Sequence, residues 1–229
     1  DLDARDFGRT RLVPKLLDRG VTRLDAVLVT HPHPDHALGV FAVLEELSVG
    51  RFWRSSGDDD GDLYRRLEET AAQKGVPVER LGAGSAVLWP DARLRVLHSG
   101  GLLRKQDGIN NQSVVAVFER DGALALLTGD AGAPTERDLL GSGIQIQARL
   151  LKVGHHGSRT ATTPEFLRAV GPRLALLSCG RGNRFGHPAP QTLDALRDAR
   201  VPVLRTDLLS DVRVTLEPAR TLLDWRGLR

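Results

Sequence analysis

Six of the seven histidines fall at three places: His31, His33 and His36 in HPHPDH, His155 and His156 in GHHGS, and His187 in RFGHP. Only His98 stands apart. A residue before proline is held in extended backbone, so Pro32 and Pro34 set His31 and His33 extended, with both imidazoles on the same side. Asp35 and His36 come where a helix is predicted to start, which turns them away from that pair and toward a second, neighbouring cation. Four such ligands within six residues predict metal binding rather than scattered loop polarity. A pair of cations also needs an anionic ligand between them, because a bridging carboxylate offsets the repulsion of ions roughly 3.5–4 Å apart. Asp130 is the candidate: it ends the run ALALLTGD, where Gly129 leaves room for close backbone approach. Nitrogen and oxygen donors without a thiolate suit zinc, manganese, iron or cobalt.

Each of these places follows, or nearly follows, a predicted strand, and reactive groups of α/β proteins gather on loops at strand ends. Leu24 to Thr30 reads as a buried strand and Asp35 to Leu47 as the helix behind HPHPDH. Upstream, Leu12, Val13, Leu16 and Leu17 sit at helical spacing in a segment from Arg9 to Arg19 that stops at Gly20. Asp62 to Lys74 reads as helix. Ser85 to Trp89, Arg93 to Leu97, Ser113 to Glu119 and Ala123 to Thr128 read as consecutive strands. The second half alternates: strand at Ala148 to Val153, helix at Pro164 to Val170, strand at Arg173 to Ser178, helix at Pro190 to Arg200, then short strands. Helices flanking two groups of strands predict a four-layer αββα sandwich with its sheets face to face.

The composition agrees with one globular α/β domain spanning residues 1–229: 41% of residues are apolar and 27% charged, enough for a core and too apolar for intrinsic disorder. No apolar run approaches the ~18 residues that cross a bilayer. The single cysteine, Cys179, has no disulfide partner and ends the apolar run LALLSC, so it reads as a small core residue. The first residues carry neither an initiator Met nor a signal pattern, which reads as a piece of a longer chain. With only four lysines among 32 basic residues and a net charge of +3, bulk charge says little about partners.

With these residues in hand, the chain resembles the metallo-β-lactamase superfamily, whose pattern is a His-x-His-x-Asp-His loop, a Gly-Asp after a later strand and a further His near the end. The closer likeness is to the C-terminal domain of the ComEC family of bacterial DNA-uptake channels. It rests on THPHPDHALG (Thr30 to Gly39), NNQSVV (Asn110 to Val115), LLTGD (Leu126 to Asp130), LKVGHHGSRT (Leu151 to Thr160) and GRGNRFGHP (Gly180 to Pro188). Two departures stand out. The His that many superfamily members carry shortly before the Gly-Asp strand is replaced here by DGINNQS, so the HHGS pair is expected to substitute for it. The two opening strands with a Gly-Gln-Gly-Asp-like turn are missing.

The resemblance implies a metal-dependent phosphodiesterase, a nuclease that degrades DNA during uptake. By position, His31, His33 and a His of HHGS would hold one divalent ion, zinc or manganese. His156 is the favoured ligand of that pair, with His155 turned to substrate phosphate, although adjacent residues are not separated by sequence. Asp35, His36, His187 and bridging Asp130 would hold the other ion, with Asp35, Asp130 and His155 taking part in catalysis. Two cations lower the pKa of a shared water from about 15.7 in bulk to about 7 on zinc, so hydroxide becomes available for in-line attack on phosphorus. Arg181, Asn183 and Arg184 before His187, with Lys152, Arg159 and Ser158 beside HHGS, could contact phosphate, and arginine's planar fork suits its oxygens. Ser113 and Ser158 could equally bind loop backbone. The implied partners are DNA, taken as single-stranded, and the rest of a membrane channel, with this domain outside the bilayer on the extracytoplasmic side of a bacterial inner membrane.

Two other readings compete: a small-molecule phosphodiester or lactone hydrolase on the same scaffold, and a non-catalytic module in which metal only stabilises the fold. The acidic run Asp58, Asp59, Asp60 reads as a solvated loop, and GRGNRFG lacks dinucleotide-binding spacing. Aromatics are 4% of the chain, so base-stacking platforms should be few and phosphate contacts should dominate.

Overall fold

The computed structural model describes residues 7–57, 62–100 and 108–215, so the Asp58–Asp60 run lies outside the described residues. The chain forms two compact units, Asp1–Gly82 with Ser99–Val114, and Ala83–His98 with Val115–Arg229.

In the first unit the expected Arg9–Arg19 helix is a π turn at Gly8–Leu12 running into α1 (Val13–Leu17). Pro14 has no N–H to give the carbonyl four residues back, so the preceding turn widens and Val13 N–H reaches Gly8 O instead. The strand expected over Leu24–Thr30 is two strands, β1 (Arg23–Leu24) and β2 (Val27–Val29). The chain changes partner there: Gly50 N–H donates to Leu24 O, and Val27 N–H to Arg51 O. Next come α2 (Pro34–Glu46), β3 (Ser48–Val49), β4 (Phe52–Ser55), α3 (Asp62–Gln73) and β5 (Val78–Leu81). β1 pairs with β3, and β2-β4-β5 form a parallel sheet. α2 is apolar over most of its surface, burying Ala37, Leu38, Val40, Phe41 and Leu44 with Val29, Phe52, Tyr64 and Leu67 in one core. HPHPDH is the loop from the end of β2 into α2.

The second unit is built on a seven-stranded sheet in the order β12-β11-β10-β9-β8-β7-β6. β6 (Ala86–Leu88), β7 (Ala92–His98), β8 (Val115–Arg120) and β9 (Ala123–Leu127) are antiparallel. β10 (Leu150–Lys152), β11 (Leu174–Leu177) and β12 (Val203–Arg205) run parallel to β9. The helices are α4 (Ala133–Gly141), α5 (Pro164–Val170), α6 (Pro190–Asp198) and the short α7 (Thr206–Leu209). Leu126, Leu151, Phe166, Leu167, Leu177 and Leu196 form its main core, against which Cys179 packs half-buried. Burial, then Asp207, pushes the Cys179 thiol up to about 11, so it is inert. Because β9, β10 and β11 are parallel and in register from Leu127 to Lys152 to Leu176, the loops that follow them leave the same edge of the sheet. Those loops carry Asp130, His155 with His156, and His187.

Candidate metal centre

Each unit carries its own set of donors. In the first, His33 is extended at φ −79 and ψ 148 and precedes the first residue of α2, as the proline spacing predicts. Its carbonyl accepts the N–H groups of His36 and Ala37. His31 is fully buried, and its Nδ1 lies 3.2 Å from the hydroxyls of both Thr30 and Ser113. Ser113 is brought there by the 3₁₀ turn Ile109–Gln112 and by the bond from Val114 N–H to Thr30 O. Nδ1–H donating to a hydroxyl leaves the Nε2 lone pair for a cation. The rings of His31 and His33 are 4.8 Å apart, and those of His31 and His36 4.3 Å. His36 therefore does not turn away from the first pair, because the first turn of α2 brings its ring back beside His31. Asp35, exposed, sits 3.5 Å from His36 Nε2.

In the second unit, Asp130 is 2% exposed and its carboxylate faces three cationic or imidazole groups. His156 Nε2 is 3.4 Å away, His155 Nε2 3.9 Å and Lys152 Nζ 3.9 Å. Lys152 also donates to Gly129 O at 2.9 Å. His155 and His156 both adopt left-handed backbone, φ 45 and φ 54, inside the turn Gly154–Gly157. Such conformations cost on the order of 1–3 kcal/mol each and persist where their surroundings enforce them. His156 Nδ1 is 2.8 Å from Ser178 O, a carbonyl that only accepts, so Nδ1 carries a proton and Nε2 faces Asp130. Each unit thus holds a carboxylate with an imidazole beside it, Asp35 with His36 and Asp130 with His156.

His187 completes the second set. Its ring is 5.8 Å from that of His155, and its buried Nδ1 has no hydrogen-bond partner among the described residues. Burial and then the neighbouring His156 hold its pKa below the ordinary value, with Asp130 opposing, so the neutral, ligating form prevails. Its loop is organised by Asn183, which accepts from Phe185 N–H and His187 N–H and donates to Gly180 O and His187 O. Of the other residues expected at phosphate, Ser158 is buried and bonded to Thr160 Oγ1 at 3.0 Å. Arg181 donates to Asp207 O, and the Arg184 guanidinium lies 5.1 Å over the Phe185 ring. Sequence alone did not reveal the Ser178 carbonyl as the group that orients His156, since a backbone acceptor leaves no mark on residue type. The orphaned His187 nitrogen, the oriented His156 and the all-nitrogen-and-oxygen donor set fit divalent metal.

The residues 3–181 match the model of the Metallo-beta-lactamase superfamily, and the chain belongs to that superfamily. It is 32% identical to ComE operon protein 3 of Bacillus subtilis over 201 residues, 88% of this chain and 26% of that protein. It is 29% identical to Competence protein ComA of Neisseria gonorrhoeae over 87% of this chain and 26% of that one. The chain thus spans about a quarter of the length of these relatives. Among solved structures, the metallo-beta-lactamase fold protein YhfI from Bacillus subtilis is similar at TM-score 0.58, with 11% identity, 85% of this chain and 80% of that one. The α/β fold class expected from sequence is the one these matches show. No helix among the described residues is long and apolar enough to cross a membrane.

Proposed function

We propose that this chain is the nuclease domain of a competence protein, hydrolysing single-stranded DNA with two divalent ions, zinc or manganese. The observation that carries this reading is the buried Asp130 carboxylate aimed at His156 Nε2, with the other nitrogen of that ring fixed by the Ser178 carbonyl. In this reading His31, His33 and His156 would hold one ion, and Asp35, His36, His187 and Asp130 the other. When bound, such a pair supplies Lewis acidity and a water of lowered pKa, about 7 on zinc.

The chain's own residues do the rest. The hydroxyls of Thr30 and Ser113 orient His31. His155, whose Nε2 lies 3.9 Å from the Asp130 carboxylate, would hold a phosphoryl oxygen. Arg181 and Arg184 form no salt bridge among the described residues, whereas Arg9, Arg51, Arg65, Arg93 and Arg197 pair with carboxylates. Their guanidinium forks are therefore available for phosphate. Asn183 and Ser158, engaged within their own loops, shape the site around it. The similarity to competence proteins supports DNA as substrate and the rest of a membrane channel as partner; an extracytoplasmic position is part of the same proposal.

The test is incubation of the purified protein with single-stranded DNA and Mn²⁺, Zn²⁺ or Mg²⁺. Cleavage is expected, and it should fall more than about 100-fold in Asp35→Ala/His36→Ala, because loss of even an outer partner of a ligand costs about 10–100-fold. Absence of cleavage, cleavage that survives the double substitution, or preference for a small ester over an oligonucleotide overturns the reading.

A further inference from the structure

Sparse aromatics led to the expectation that DNA contacts would be made through phosphate. Within the first unit, however, an apolar cavity of about 510 Å³ is lined by Phe7, Leu12, Pro34 and Val40 together with the ligand candidates Asp35 and His36. That volume falls in the range of roughly 300–1,000 Å³ typical of small-molecule sites. Phe7 is 60% exposed. Phe7 and Phe185 are the aromatics among the exposed large hydrophobic residues described, and Phe185 stacks on His187, so each lies beside candidate ligands.

The position of Phe7 is fixed by packing. Gly8 rests against α2 so closely that a Cβ there would stand 2.6 Å from Gly39 O and 2.8 Å from Gly39 Cα. Gly39 is one helical turn beyond Asp35, so the contact holds the Phe7 ring at the start of α2. A group that enters this cavity is next to Asp35 and His36, which the nuclease reading makes metal ligands. In a DNA strand, the flat apolar group joined to each phosphodiester through the sugar is the base.

We propose that the Phe7 cavity is a nucleobase subsite, in which the base next to the scissile phosphodiester stacks on Phe7. This rests on the nuclease reading above and adds to it: selection of unpaired DNA arises from base stacking, because a base inside a duplex is already stacked. The test compares a thymidine oligomer with an abasic oligomer of equal length, both with metal, in wild type, Phe7→Ala and Phe7→Trp.

Wild type is expected to prefer the base-bearing strand roughly tenfold in kcat/KM, about 1.4 kcal/mol, within the usual worth of one stacked base. Phe7→Ala should bring that ratio close to one, and Phe7→Trp should retain it. Independently of turnover, the tryptophan added in Phe7→Trp should be quenched by the thymidine oligomer and not by the abasic one, in difference fluorescence against wild type. Cleavage with the same ratio in wild type and Phe7→Ala, or equal quenching by both strands, overturns the subsite, leaves the nuclease reading standing and assigns the cavity to another occupant, such as a further segment of polypeptide. Cleavage of neither strand overturns the nuclease reading and the subsite with it.

Discussion

His156 and His187 are held where they are by a backbone contact that tolerates no side chain. Gly157 has φ +82, and a Cβ there would stand 2.7 Å from Pro188 Cβ and 3.0 Å from Leu177 Cδ1. It follows His156 directly, and Pro188 follows His187, so one atom added at Gly157 pushes on both ligand loops. The bond from Ala189 N–H to Gly157 O at 2.8 Å ties the same two loops. Gly157→Ala is therefore expected to lower bound metal as well as stability. The left-handed backbone alone costs a non-glycine residue about 1–2 kcal/mol. Gly143→Ala isolates that cost, because Gly143 also has positive φ, +69, but nothing within 4 Å of its Cβ position. Urea midpoints and metal content of the two variants check this: Gly143→Ala should lose stability and keep metal, and Gly157→Ala should lose more stability and most of the metal. Equal effects of the two would show that the close approach does not matter.

Among the elements, α4 and α5 are joined by a buried carboxylate. Glu136 in α4 is 3% exposed and accepts the N–H groups of Thr162 and Thr163, while the Thr163 hydroxyl accepts Phe166 N–H at the start of α5. Burial raises the Glu136 pKa above its ordinary value and the hydrogen bonds from Thr163 and Thr162 only partly offset this. A carboxyl that is raised in the folded state binds its proton more tightly there than in the unfolded chain. Its contribution is thus complete below the unfolded pKa and is lost as pH rises through the folded value. Glu136→Gln does not titrate, so its stability deficit should be largest below about pH 4.3 and narrow toward neutrality, by about 1.4 kcal/mol for each pH unit that separates the folded and unfolded titration midpoints. Denaturant curves between pH 4 and 8 check the sign, and a deficit that widens with pH would mean the backbone donors outweigh burial. This tie was not legible in the sequence, and neither was α4 itself: ERDLLG is short and mostly polar, and Glu136 looks like any helix carboxylate until its burial is known. β4 escaped for a related reason, since Arg54 breaks its apolar pattern yet is 2% exposed, paired with Glu68 and stacked over Tyr64. By contrast, α5 was legible to the residue, because Thr-Pro at its start and Gly171 at its end are strong local signals. HPHPDH was legible in backbone for the same reason, through its two prolines, whereas the return of His36 toward His31 depends on helix geometry that spacing does not convey.

For the molecule as a whole, a net charge of +3 and a surface on which arginines answer carboxylates leave little general attraction for DNA. Arg9 with Glu45 and Glu46, Arg51 with Glu79, and Arg197 with Asp194 are examples, exposed pairs that contribute little to stability but cancel one another's field. Attraction for phosphate is then local: Arg181 and Arg184, near His187, lack such partners among the described residues, as do Arg23, Arg149 and Arg173, and the two beside the candidate ligands are the ones assigned to phosphate. Binding of single-stranded DNA should accordingly weaken with salt only gently, since each neutralised phosphate adds about −0.7 to the slope of log K against log salt. Replacing both Arg181 and Arg184 by Ala should make that slope shallower by about 1.4, in proportion to the two contacts removed. Fluorescence anisotropy of a labelled oligomer over a salt series, without divalent metal so that the strand stays intact, measures both slopes. An unchanged slope in the double variant would place the phosphate contacts on other cations of the chain, because a change in affinity alone also follows from a loop displaced around His187, whereas the slope counts charges.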